Sequence, residues 1–281
     1  MDNRPIGVFD SGLGGLTVVR QLMRLLPSED IVYFGDTGRV PYGNRSRETL
    51  IKYTRQDCRF LLGQNVKRII AACGTASSVA PHVLRSLPVK AGGVVEQAAD
   101  AAVRATRNGK IGVLGTQATI HSGSFQRRIG EQRPDAAVYP QACPLFVPLV
   151  ESGWIGRDDE ITILTARRYL EPLKAAGVDT LILGCTHFPL LAPIIGDVMG
   201  ENVVLIDSGK TAAEDCARQL RQDDALNRTK KAGELHFYVS DRPENFLSVA
   251  SIFLGGEVTG DIHTLDIEQV DGAEIDMVYK R

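Results

Sequence analysis

Two stretches decide how this chain folds: RIIAACGTASS at residues 68–78 and its counterpart TLILGCTHFP at residues 180–189. In each, an apolar run of strand length ends in a cysteine, Cys73 in one and Cys185 in the other. A threonine follows within two residues, before a turn toward a helix. Uninterrupted apolar runs of this length mark strands buried on both faces of a parallel sheet. A thiol at the carboxyl edge of such a strand faces a helix N-terminus, where backbone N–H groups favour anions. Its pKa is expected to fall below the usual value of about 8.5, making the sulfur a base or a nucleophile. A mirrored pair points to chemistry from two sides of one substrate.

Working outward, residues 6–10 read as a strand, 11–15 as a glycine-rich turn, and 16–26 as a helix with Leu16, Val19, Leu22 and Leu26 on one face. The turn offers N–H groups to a carboxylate or phosphate but lacks the GxGxxG spacing of a dinucleotide site. A strand at 30–36, a loop at 37–46 carrying Pro41, Tyr42 and Gly43, and a helix at 47–62 follow. After the Cys73 strand, residues 74–78 lead into a helix with Pro81 in its first turn, then a strand at 89–94 and a helix at 96–107.

From residue 110 the pattern starts again. Ile111 opens a strand as Ile6 does, and Cys185 closes one as Cys73 does, which indicates an internal duplication. Strands are expected at 110–115, 136–142, 180–185 and 203–208, with a helix or turn at 144–151 and a long helix capped by Asp158 or Asp159. Gly209, Lys210 and Thr211 suggest a phosphate loop, but the glycine it needs five residues earlier is Val204. A strand at 235–240, a helix at 243–254 and an extended tail complete the chain. The expected fold is α/β: two similar doubly wound parallel-sheet domains with the active site in the cleft between them. Residues 1–96 plus 210–281 form the first domain and 97–209 the second.

A chain of 281 residues suits two domains of ordinary size. Lys and Arg total 32 against 34 Asp and Glu, dispersed along the chain, which argues against nucleic acid or anionic membrane as the main partner. The start of the chain reads directly into a strand, with no signal-peptide core and no membrane-length apolar run, so a cytoplasmic protein is expected. Five cysteines, without disulfide or metal-clip spacing, are expected to be free thiols, and no metal site is read. Cys58 and Cys216 lie on apolar helix faces and read as core; Cys143 reads as a packed residue.

Open α/β sheets bind ligands beyond the carboxyl ends of their strands. Here those ends carry Asp10, Ser11, the Pro41, Tyr42 and Gly43 loop, Cys73, Gly74, Thr75, the run from Thr116 to Thr119, Cys185, Thr186, His187, Asp207 and Ser208. Rich in hydroxyls and exposed N–H groups, with two thiols, this set suits a small anionic zwitterion such as an amino acid.

FDSGLGGLT at 9–17, YFGDT at 33–37, PYG at 41–43, the Cys73 segment, Glu151 and GCTHFPL at 184–190 together resemble the bacterial glutamate racemases, of the cofactor-independent aspartate/glutamate racemase superfamily. The similarity spans almost the whole chain. It implies a two-domain α/β fold with the site between the domains, glutamate as substrate, D-glutamate for peptidoglycan as product and no cofactor. No lysine stands at a strand end in a Schiff-base setting. By the resemblance, Cys73 deprotonates D-glutamate with help from Asp10, and Cys185 deprotonates L-glutamate with help from Glu151 and His187. The binding set is Asp10, Ser11, Pro41, Tyr42, Gly43, Gly74, Thr75, Thr116, Thr119, Thr186 and His187. Homodimers are common in that family, though no stretch of this sequence reads as an interface.

One motif departs from the family: Asn usually follows the first cysteine, and here it is Gly74. That loss keeps open a racemase for aspartate or another amino acid. A non-catalytic module binding a small anion requires both strand-end thiols to be coincidental. A cysteine hydrolase requires one nucleophile and an oxyanion hole rather than two thiols.

Overall fold

β1 (Ile6–Asp10) has no polar side chain before its last position, and all five residues are buried. Such a strand belongs inside a sheet covered on both faces. The computed structural model describes residues 1–229, 231–241, 243–256 and 261–270. After β1 come α1 (Leu16–Leu25), β2 (Ile31–Gly35), α2 (Arg47–Gly63), β3 (Arg68–Ala71), α3 (Gly74–Val79), α4 (Pro81–Arg85), β4 (Lys90–Gly93) and α5 (Val95–Ala105). The second unit contains β5 (Lys110–Gly115), α6 (Gln117–Ser122), α7 (Ser124–Gln132), β6 (Ala137–Ala142), α8 (Phe146–Glu151), α9 (Glu160–Ala175), β7 (Thr180–Leu183), α10 (Ala192–Met199) and β8 (Val204–Asp207). The chain continues through α11 (Ser208–Gln222), β9 (Leu235–Val239), α12 (Pro243–Leu254) and β10 (Asp261–Thr264).

The strands form two sheets, β10-β9-β2-β1-β3-β4 and β6-β5-β7-β8, with every pairing parallel. The order β2-β1-β3-β4 recurs as β6-β5-β7-β8, so the repeated sequence pattern corresponds to a repeated topology. In each sheet the chain leaves the central strand to one side and then returns to the other. The crevice at such a switch lies beyond the ends of β1 and β3 in one sheet, and of β5 and β7 in the other. Those ends lead to Ser11 and Cys73, and to Thr116 and Cys185.

Helix α1 buries Leu16, Val18, Val19 and Leu22 against α11, which contributes Ala212, Ala213, Cys216, Ala217 and Leu220. Alanines on α11 permit close packing of the two backbones. Cys58 and Cys216 are core residues, as their helix faces require. No helix among the described residues is long and apolar enough to cross a membrane.

Four details differ from the sequence pattern. The segment after Cys73 is helical from Gly74 and breaks at Ala80 (φ −120°, ψ 37°), so α3 and α4 are separate. Pro81 drives the residue before it out of the helical region. Residues 117–132, for which no element was expected, form α6 and α7; Gly123 at φ 63° divides them and leaves each too short for a clear periodicity. Residues 208–211 begin α11, with Asp207 as N-cap accepting from the Lys210 N–H, rather than forming a loop before it. Within the expected tail, residues 261–264 pair with β9 as a sheet edge, while 257–260 and 271–281 lie outside the described residues.

At the amino ends of the first sheet, Lys67 Nζ lies 2.5 Å from Glu29 Oε2, with both side chains almost fully buried. Lys67 also donates to the carbonyls of Asp2 and Ala225, and Glu29 accepts from the Asn227 N–H. Lys67→Met leaves a buried carboxylate without its cation and is expected to cost about 3–5 kcal/mol in urea unfolding. The Lys67→Met/Glu29→Leu double variant is expected to recover most of that loss.

Candidate active site

Cys73 follows β3 and is the N-cap of α3, where its sulfur accepts from the Ala76 N–H at 3.5 Å. The thiol donates to Ser11 Oγ at 3.5 Å. Asp10, at the end of β1, is fully buried; one carboxylate oxygen accepts from the Gly12 N–H at 3.0 Å, and the other has no hydrogen-bond partner among the described residues. Burial raises the Asp10 carboxyl above its ordinary range, against the opposing pull of His187 and nearby N–H groups.

A helix N-terminus beside Cys73 is expected to lower its pKa, and in the folded protein the direction is the opposite. Burial first, and then the charge of Asp10, push Cys73 up to about 12 despite the Ser11 and Ala76 contacts. A helix of six residues sums few peptide dipoles, and the pull of the Ala76 N–H is smaller than the desolvation cost.

Cys185 lies two residues beyond β7, but no α-helix follows it directly. The chain passes through a 3-10 turn, Phe188–Leu191, before α10. In place of a helix terminus, Cys185 Sγ has His187 Nδ1 at 3.9 Å; Thr186 Oγ1 is 3.3 Å from that nitrogen, and Glu151 Oε1 is 3.0 Å from His187 Nε2. Burial disfavours the imidazolium, but hydrogen bonds to Cys185 and Glu151 outweigh it and lift His187 to about 10. His187 therefore carries a proton at neutral pH, next to the second thiol.

Both cysteines line one cavity of about 370 Å³ at the facing ends of the two sheets. Of the sequence-selected residues, Ser11, Pro41, Tyr42, Gly43, Gly74, Thr75, Thr116, Glu151, Thr186 and His187 line it with them. Asp10 and Thr119 stand behind the wall, Asp10 beneath Ser11 and Thr119 beneath Thr116, whose hydroxyl donates to Thr119 Oγ1 at 3.1 Å. Thr116 Oγ1 also meets Thr75 Oγ1 at 3.0 Å, a hydroxyl bridge from one sheet to the other. The Tyr42 hydroxyl donates to Asp36 and Asp57, leaving the ring and backbone to face the cavity.

Gln117, within the selected run from Thr116 to Thr119, lines the cavity, whereas Asp207 and Ser208 do not; sequence reasoning passed over Asn44, Cys143 and Val147 in the lining. Asn44 directly follows a selected residue, and Cys143 directly follows β6, whose carboxyl end points to the same cleft. Burial raises the Cys143 thiol above its ordinary value, and it donates to the Gln141 carbonyl at 3.7 Å. Among the described residues, no group of three or more His, Cys, Asp and Glu is arranged to hold a metal ion. What the site offers chemically is three thiols, two of them at corresponding strand ends, a protonated imidazole on one side, a buried carboxyl on the other, and hydroxyls and N–H groups between them.

The two halves touch through glycine. A Cβ placed on Gly74 would lie 2.2 Å from the Gly184 carbonyl oxygen, and one on Gly14 would lie 2.2 Å from Thr186 Oγ1. In this conformation the Asn expected by resemblance at position 74 has no room.

The sequence model of the Asp/Glu/Hydantoin racemase family matches residues 17–216. A protein of Geobacter metallireducens named glutamate racemase is 46% identical over 266 residues, covering 94% of this chain and 97% of the relative. The structure of glutamate racemase from Francisella tularensis in complex with D-glutamate superposes with a TM-score of 0.88 at 38% identity, covering 95% of this chain and 99% of that one. The Thermus thermophilus glutamate racemase, in complex with beta-chloro-D-alanine, gives a TM-score of 0.86 at 44% identity, with the same coverage. The chain belongs to the Asp/Glu/Hydantoin racemase family.

Because the folded pKa of His187 is raised from 6.5 to about 10, the stability it confers is fully present below pH 6.5 and is lost as pH rises through 10. Over that window the unfolding free energy is expected to fall by up to about 1.4 kcal/mol per pH unit, and His187→Asn is expected to flatten the slope. Urea unfolding at a series of pH values measures both. Gly74→Asn, which sets a side chain against Gly184, is expected to lower stability by roughly 1–3 kcal/mol in the same assay.

Proposed function

We propose that this chain interconverts L- and D-glutamate by proton transfer at Cα between two thiols, supplying D-glutamate for peptidoglycan synthesis in the cytoplasm. The observation that carries the reading is that Cys73 and Cys185, from corresponding ends of two repeated sheets, line one cavity. Family membership supports it, as does the complex of the Francisella tularensis relative with D-glutamate.

In the L to D direction, the Cys185 thiolate takes the proton from Cα, and negative charge spreads from Cα into the α-carboxylate. The Cys73 thiol then delivers its proton to the opposite face, leaving its own sulfur as thiolate. The reverse reaction starts from the Cys73 thiolate. Each step breaks one S–H or C–H bond and forms the other, so the chain's own thiols supply every proton.

His187 stands 3.9 Å from Cys185 as a proton donor, and Glu151 fixes its ring by binding the far nitrogen. On the other side Cys73, at about 12, is a good acid only toward a strongly basic carbanion, which is what the first step creates. Its return to thiolate draws on the positive charge of the substrate ammonium, within a cleft that excludes water. The hydroxyls of Ser11, Thr75, Thr116 and Thr186, with N–H groups at Gly43 and Gly74, are assigned to the carboxylates and the ammonium. Asp10 acts from behind Ser11 on Cys73. Residues 1–96 with 210–281 and residues 97–209 are read as the two units that close on the substrate; the membership of the strands in two sheets supports that division.

In D2O, without added cofactor, either enantiomer of glutamate is expected to exchange its α-proton and convert to the other. If neither reacts, the reading fails. Cys73→Ser and Cys185→Ser are each expected to lower racemisation by about 10²–10⁴, and full activity in either variant overturns the two-thiol assignment. Equal rates with aspartate would replace glutamate specificity by a broader amino-acid racemase.

A further inference from the structure

A second cavity, of about 760 Å³, lies beside the cleft where α2, α3 and α4 of the first unit meet α6 and α7 of the second. Its rim carries Arg45, Arg47, Arg85 and Arg127 with His82 and His121, and no carboxylate is among its lining residues. Arg45 and Arg47 have no ion-pair partner among the described residues. Arg85 has only a loose contact with Glu96, at 3.7 Å between two exposed side chains, and Arg127 donates to the Ser122 carbonyl at 2.7 Å. At the base, Ser78 is 2% exposed, and its hydroxyl has no hydrogen-bond partner among the described residues. Leu50, Val79 and Ala118 give the same floor an apolar surface.

Four guanidinium groups in a lining without a carboxylate, with Glu48 beside Arg47 and Glu96 near Arg85 outside it, leave an excess of positive charge facing the cavity. The field is felt locally: burial, followed by the charges of Arg55, Arg47 and Arg85, holds His82 below its ordinary value. A buried hydroxyl without a partner costs stability unless a bound group accepts its proton. Guanidinium forks match the oxygens of a phosphoryl group in pairs, and a doubly charged phosphate uses several of them where one carboxylate uses one.

We propose that this cavity is a second binding site, distinct from the cleft, for a small phosphate monoester. Its phosphoryl oxygens take the arginines and the Ser78 hydroxyl, and its body rests on the apolar floor. The site is joined to the cleft by two short helices: α3 begins at Cys73 and carries Ser78, and α6 is capped by Thr116 and carries His121.

The test is isothermal titration of the full-length protein with inorganic phosphate and with phenyl phosphate, at constant ionic strength set by chloride and with D-glutamate held at saturation. Saturable binding of both is expected, tighter for phenyl phosphate. Arg47→Gln/Arg127→Gln, which alters exposed side chains only, is expected to weaken it at least about tenfold, and Ser78→Ala by a similar factor. No saturable binding through the millimolar range, unchanged binding in the variants, or loss of binding when D-glutamate is added would each overturn the proposal. So would a second equivalent of D-glutamate that binds more tightly than phosphate and is lost in the arginine variant. The readout is heat of binding, so it does not depend on turnover.

Discussion

Beyond β3 and β7 the two halves of the molecule meet main chain against main chain, because neither Gly74 nor Gly184 has a side chain to hold them apart. With Gly14 set as closely against Thr186, the first unit is fitted to the second at two points beside the cleft. Thr17 reinforces one of them, donating from its hydroxyl to the Gly14 carbonyl at 2.8 Å and the Thr186 carbonyl at 3.3 Å. The placement of both thiols is consequently set by strand ends and backbone contacts. Proton transfer through space depends steeply on donor position, so chemistry using two opposed sulfurs needs this kind of frame.

Repetition of the backbone did not carry with it repetition of the electrostatics. In both sheets a sulfur leaves a buried strand beside a topological switch, and at Cys73 burial penalises the anion. At Cys73 burial, and then the charge of Asp10, keep the thiol protonated against the pull of the Ser11 hydroxyl and the Ala76 N–H. Cys185 has an imidazolium whose proton is secured by Glu151 from the other side. The cleft thus holds a proton reservoir on one face and a neutral acid on the other. That asymmetry is useful to a reaction that must take a proton from one face of a carbon and return one to the other.

The fold was legible because parallel strands buried on both faces are written as unbroken apolar runs, and because Ile6 and Ile111, like Cys73 and Cys185, mark the same points in two copies. The cleft was legible for a related reason: strand ends are where ligands bind in such sheets, and the residues placed there are hydroxyls, glycines and thiols. What was not legible depends on distances through space. The electrostatic state of Cys73 depends on how completely Phe9, Phe34 and their neighbours exclude water, which no local pattern records. Helices α6 and α7 were hidden because Gly123 divides them, although Thr116 and Gly123 are ordinary cap residues. Gly74 could be seen to lack a side chain, but only the structure shows Gly184 occupying the space.

The loop at residues 37–46 shows the same division between what a segment is and what holds it. Its length marks it as functional, yet its shape depends on groups far along the chain. Arg39 pairs with Asp36 at 2.6 Å and Asp57 at 3.1 Å and lies over the Tyr53 ring, while Ser240 donates to the other oxygen of Asp36. Two buried carboxylates share one guanidinium. Burial, and then the charge of Asp36, raise Asp57 well above the ordinary carboxylate range. The Tyr42 hydroxyl completes the set by donating to both acids. Burial, followed by those acids, keeps the phenol firmly protonated. A proton already shared between two buried acids is not available to a substrate carboxylate. Tyr42 therefore acts as a strut: its hydroxyl anchors the loop from behind, and its ring and backbone give the cleft a wall. The charge that recognises an anion must come from elsewhere, from the hydroxyls and N–H groups at the strand ends.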